Sequence, residues 1–151
     1  MKRWTLASST VASLVALPLV AAAQSCRVDV VPLAFGVYDP ARAAPTDTRT
    51  DIALACGGDA TARSPGSVSI HVAGDAVREL GGTSHTLLYQ LFEDAALSRP
   101  WREPAALAIA LPDAAAGRSS EARVPIYGRI APGQWVPAGV YGDTVEIVVT
   151  F

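Results

Sequence analysis

Positive charge, histidine and cysteine are all scarce in this chain of 151 residues, and each shortage removes a class of function. The only lysine is Lys2, and downstream of residue 23 every base is an arginine, scattered singly among 14 acidic residues. Nucleic-acid binding needs clustered positive charge to displace counterions, so this distribution argues against it. There are two histidines. His71 falls on the polar face of a predicted strand and His85 opens another beside Ser84, both positions for solvated side chains. Motifs are missing too: there is no G-x-S-x-G elbow and no H-E-x-x-H, and the glycine pairs have no phosphate-loop pattern or following helix. Glu93 and Asp94 are adjacent, which on a strand sends them to opposite faces and separates them as an acid/base pair. The chain is therefore read as a non-enzyme, with no catalytic residue, metal ligand or cofactor assigned.

What is present begins with an export signal. Lys2 and Arg3 precede an apolar run from Leu6 to Val20, and Ala21, Ala22 and Ala23 supply the small residues that signal peptidase needs. The run is too short and too abruptly ended for a spanning helix, and no later stretch is long or apolar enough. Residues 1–23 are expected to be a secretory signal peptide and residues 24–151 one domain with its own core and a formal charge of about −4. The two cysteines, Cys26 and Cys56, lack C-x-x-C spacing and a nearby histidine, so an exported context makes them a disulfide. Closing a loop of about 31 residues stabilises a fold by roughly 3–4 kcal/mol in the chain-entropy model.

The exported part reads as strands. Val28 and Val30, then Leu33, Phe35 and Val37, alternate around Pro32, which lacks the N–H that a central ladder needs and marks an edge or sheet-switching strand. Thr50 to Cys56 and Ser67 to Val72 alternate cleanly. Gly74 to Gly82 reads as loop. His85 to Asp94 places Leu87, Tyr89 and Leu91 on one face and Leu88 and Phe92 on the other, so both faces are expected to be covered. Ala106 to Leu111 and Ala122 to Ile130 follow, separated by a loop rich in small residues. The chain closes on Val145, Ile147, Val149 and Phe151 against Thr144, Glu146 and Thr150. Seven or so short strands with no helical period indicate an antiparallel β-sandwich. Its most hydrophobic strand is the last, and an uncovered apolar edge is a docking site for another strand.

The segments SCRVDVVPLAFGVYDP, DIALAC and LLYQLFEDAALSRPW, together with IYGRIAPGQWVPAGVYGDTVEIVVTF and its Y-G-R-I and G-x-Y-x-D-T motifs, resemble the spore coat protein U domain family. That family includes subunits of archaic, Csu-type chaperone–usher pili. The resemblance implies an incomplete immunoglobulin-like sandwich that lacks its final strand. A periplasmic chaperone would lend a strand to the open groove, and an outer-membrane usher would exchange it for the N-terminal extension of a neighbouring pilus subunit. Carried onto this sequence, Val145, Ile147, Val149 and Phe151 would line one side of the groove and Val28 and Val30 the other. Cys26 and Cys56 would form the family disulfide, and basic residues of the chaperone would hold the Phe151 carboxylate. One departure stands out. Cleavage after Ala23 would leave only Gln24 and Ser25 before Cys26, too short to span a sandwich at about 3.3 Å per residue. The expectation is a subunit that accepts a strand without donating one, at a fibre tip or chain end.

The function expected is thus a structural subunit of a surface fibre serving adhesion or biofilm formation. The alternatives are a secreted coat or envelope-layer protein that packs without an usher, and a fibre-tip adhesin that meets a ligand through exposed aromatics. Tyr38, Trp101 and Trp135 are the candidates for such contacts, against the plainer reading that they pack turns and rims.

Overall fold

Period-two alternation builds eight strands, and a computed structural model describes them over residues 26–57, 66–112 and 118–151. The signal peptide and its cleavage site fall outside the described residues. Five strands form one sheet in the order β1-β2-β7-β5-β4: β1 (Cys26–Val30), β2 (Thr46–Gly57), β7 (Ser119–Ile130), β5 (Thr86–Phe92) and β4 (Val77–Gly81). Three form a second sheet in the order β6-β3-β8: β6 (Ala106–Ala110), β3 (Ser67–Val72) and β8 (Ile147–Thr150). All pairings are antiparallel. There is no helix among the described residues, so none is long and apolar enough to cross a membrane.

The core lies between the sheets. Ile52 and Leu54 of β2, Val124, Ile126 and Ile130 of β7, and Leu87, Tyr89 and Leu91 of β5 meet Val68, Ile70 and Val72 of β3. Burying a side chain of this kind stabilises a fold by about 1.5–3 kcal/mol relative to leaving it exposed, so this shared interior is what joins the two layers. At the sheet edge Cys26 and Cys56 stand directly opposite in the β1–β2 register and form the expected disulfide. On the outer face, Arg129 lies opposite Asp47 and donates to both its carboxylate oxygens at 2.6 and 2.7 Å. Hydrogen bonding from Arg129 holds the Asp47 carboxyl below its ordinary value.

Several sequence expectations need correction. The segment read as loop between Gly74 and Gly82 contains β4, whose inward positions are Arg78 and Leu80. An arginine in an inward place hides the alternation, and it is tolerated because its guanidinium donates to the Ala73 carbonyl. β2 starts at Thr46, because residues 46–49 pair with the end of β7 without an apolar side chain among them, and β7 starts at Ser119, with Ser120 buried and its hydroxyl on the Pro112 carbonyl. β5 is not covered on both faces, for Leu88 is 43% exposed. Trp101 is fully buried, not exposed. The loop after β5 folds back so that Phe92 bridges Pro100 and the Trp101 N–H donates to the Leu91 carbonyl at 2.8 Å, which carries the indole into the core.

Two measurements test this frame. Replacing Cys26 and Cys56 together by serine should lower stability by about 3 kcal/mol, read as a shift of the urea midpoint under oxidising conditions. Because the Asp47 pKa is lowered by folding, its contribution is fully present above the unfolded value of about 4 and is lost as pH falls through the folded value. Asp47→Asn should therefore flatten the loss of stability below about pH 4 and lower stability at neutral pH only slightly.

Candidate functional site: an apolar cleft between two lips

Residues 31–38, after β1, and 136–146, before β8, lie outside the strands. Pro32 has no N–H to give, so the β1 ladder stops at Val30 and the chain turns inward over the five-stranded sheet. There it is tied by side chains. Thr50 donates to the Val31 carbonyl and Thr48 to the Ala34 carbonyl, each at 2.7 Å. Leu33 and Phe35 rest on Gly128, where an added Cβ would come within 2.7 Å of the leucine and 2.8 Å of the ring. Phe35 also meets Tyr89 edge-on, with centroids 5.7 Å apart. At the far end the Tyr38 hydroxyl donates to the Ala131 carbonyl at 3.2 Å and accepts the Gln134 N–H at 2.8 Å.

The second lip is seated in the same way. The Tyr141 ring covers Gly82, where a Cβ would lie 2.5 Å from Cε1, and its hydroxyl donates to the Pro137 carbonyl at 2.7 Å. Gly81 and Gly142 exchange backbone hydrogen bonds at 2.8 and 3.0 Å. Asp143 then reaches inward and accepts from the Tyr89 hydroxyl at 2.7 Å. Burial pushes the Tyr89 pKa upward and the bond to Asp143 adds to it, so the phenol remains a protonated donor. From here the chain crosses to the smaller sheet, where the Ala73 N–H donates to Glu146 and Val72 faces Ile147.

Between the lips is a cleft of about 970 Å³, floored by Leu87, Leu91, Ile126 and Ile130 and walled by Val72. Asp143 is the one charged residue that lines it among the described residues. The rims are apolar and bare: Val31 is 65% exposed, Val37 91% and Val140 92%. Among the described residues, no backbone–backbone hydrogen bond involves residues 31–38, and β8 pairs only with β3. Exposed apolar walls flanked by free peptide groups suit an extended peptide, which supplies both side chains and a ladder.

The cleft gathers three of the six residues expected in a groove, Val30, Val145 and Ile147. Val28 sits exposed on β1 opposite Leu54, Val149 packs against the core opposite Ile70, and Phe151 lies half exposed beyond β8; none of these lines the cleft. Of the aromatics, Tyr38 lines it, Trp101 is in the core and Trp135 stands on the outer surface. Sequence reasoning missed Tyr141 and Asp143, although the G-x-Y-x-D-T motif contains both.

The sequence profile of the Spore Coat Protein U domain matches residues 10–148. The chain belongs to this Spore Coat Protein U domain family. None of the curated proteins matches it. Among solved structures, it is similar to the CsuC–CsuE chaperone–tip adhesion subunit pre-assembly complex from archaic chaperone-usher Csu pili of Acinetobacter baumannii. The TM-score is 0.58 at 16% identity, and the likeness covers 85% of this chain and 40% of that one. At that identity the likeness speaks for the fold, an immunoglobulin-like all-β sandwich. In this Spore Coat Protein U domain the Y-G-R-I glycine is Gly128, under the first lip. Gly128→Ala should displace Leu33 and Phe35 and cost roughly 1–3 kcal/mol by overpacking; denaturant titration against Gly142→Ala, where a Cβ meets nothing within 4 Å, would show whether the loss is local to the first lip.

Proposed function

We propose that this Spore Coat Protein U domain is a structural subunit of an archaic chaperone–usher surface fibre, and that its cleft accepts a β-strand from a partner. The observation that carries the reading is the cleft itself, with bare valines on both lips and unpaired backbone beside them. A periplasmic chaperone would fill it first, and a neighbouring subunit would replace that strand at an outer-membrane usher. Export to the cell surface and a part in adhesion or biofilm formation follow from that assembly. Each donor side chain the size of valine or leucine that buries between the lips contributes about 1.5–3 kcal/mol, so a few of them outweigh the cost of ordering an extended segment.

The test is co-expression with a candidate chaperone. The exported chain alone should aggregate, and the chaperone should recover it as a soluble 1:1 complex; a stable, dispersed monomer without any partner would contradict the proposal. Ile147→Asp sets a charge in the cleft wall, a burial that costs several kcal/mol if a donor strand seals it. Yield of the complex should fall sharply, whereas normal recovery and fibre incorporation would place strand uptake elsewhere.

A further inference from the structure

A second concavity, of about 770 Å³, lies over the outward residues Thr86 and Leu88 of β5 and Glu79 of β4. Its construction is unlike that of the cleft. β7 ends at Ile130, opposite Tyr89, which leaves the next residue of β5, Leu88, without a strand partner on that side. The Gln134 side chain takes the vacant ladder position: its Oε1 accepts the Leu88 N–H at 2.8 Å and its Nε2 donates to the Leu88 carbonyl at 2.9 Å and to the Ala131 carbonyl at 3.1 Å. With its own N–H on Tyr38, Gln134 is a fixed base for the following residue. That residue is Trp135, which is 76% exposed.

An exposed indole on an anchored stretch of backbone offers a large flat contact area, and the fixed backbone lowers the ordering cost of binding. The same depression is lined by polar groups from Glu79 and the segment Thr83 to Thr86. The His85 Nδ1 shares a hydrogen bond with the Ser84 hydroxyl at 2.9 Å, which leaves Nε2 free to bond outward. Among the described residues, Glu79 has no ion pair and no lysine or arginine lines the depression.

One flat apolar face beside a row of hydroxyl, imidazole and carboxylate groups selects a ligand with the same division. A phosphate or other anion would meet Glu79 with no cation to offset it. A peptide strand would find no ladder to join, because Gln134 already occupies the free edge of Leu88. A lipid chain would leave the polar groups unpaired, which is costly. A pyranose ring fits both halves, since its C–H face stacks on an indole while its equatorial hydroxyls bond sideways. We infer that Trp135, Glu79 and His85 form a binding site for a neutral saccharide. This rests on the outer surface alone and is independent of what fills the cleft.

The probes are cellobiose, lactose and a uronic-acid disaccharide, titrated into the exported chain, which lacks Trp4 and is kept dispersed where necessary by a tryptophan-free donor peptide in its cleft. Tryptophan emission and saturation-transfer NMR of the sugar protons are the two readouts. The exposed indole should shift to the blue saturably with a neutral disaccharide, at about millimolar affinity as expected for a small shallow site, while Trp101 stays constant. Trp135→Ala should abolish saturation transfer and Glu79→Gln should weaken binding about tenfold, both with unchanged urea midpoints. Absence of saturation transfer from both neutral sugars, its survival in Trp135→Ala, or equal binding of the uronic acid would overturn the site. So would a blue shift that depends on protein concentration and not on sugar, which would assign Trp135 to contact with a second copy of the chain.

Discussion

Apolar surface left uncovered between residues 31–38 and 136–147 is the constraint around which this fold is arranged. A sandwich is held by the mutual burial of two inner faces, and here the faces part along one side. Both borders of the opening must stay in place without the help of a strand between them. Each is seated by rings and side chains on a glycine, Leu33 and Phe35 on Gly128 and Tyr141 on Gly82. The absent Cβ is filled by a ring, and that close approach gives packing where a ladder would otherwise give hydrogen bonds. The threonine hydroxyls of β2 take two lip carbonyls, Val31 and Ala34. The lips are therefore anchored largely through side chains, and most of the peptide groups of residues 31–38 remain uncommitted.

The Tyr89–Asp143 pair links this arrangement to the centre of the larger sheet. Tyr89 is buried on β5 and touches both lips, Phe35 with its ring and Asp143 with its hydroxyl. A buried phenol needs an acceptor, and the carboxylate that answers it sits where the chain leaves the Gly81 bridge and crosses to β3. The same bond thus satisfies the tyrosine and fixes the crossing. Surface charge has a lesser part, since exposed pairs such as Arg27–Asp29 and Arg49–Asp51 are well hydrated and contribute little.

Much of this was legible in the sequence, and the residues show why the rest was not. Strands β2, β3, β5 and the end of β7 alternate because one face meets the core, and Pro32 marks where β1 abandons its sheet. β4 was hidden by Arg78, an inward residue made acceptable by a carbonyl five positions earlier. Trp101 was misplaced because its neighbours Arg99, Pro100 and Arg102 are polar or turn-forming, while its burial depends on a loop that folds back to Leu91. The cleft was partly legible: the residues that the family resemblance pointed to include Val30, Val145 and Ile147, which line it, and Val149, which the β3 register sets over Ile70 instead. Gly82 under Tyr141 and Tyr89 on Asp143 each lie more than 50 residues away, beyond the range of any local pattern.

The disulfide has a mechanical consequence. A strand at a sheet edge, pulled from its own end, opens one residue pair at a time, each break small. In β1 the first pair is Cys26 and Cys56, joined covalently. Tension arriving upstream of Cys26 bypasses the β1 ladder and passes to β2, whose twelve residues are all paired with β7 in the middle of the larger sheet. Twelve paired residues would then share the load, where the β1 ladder alone offers five.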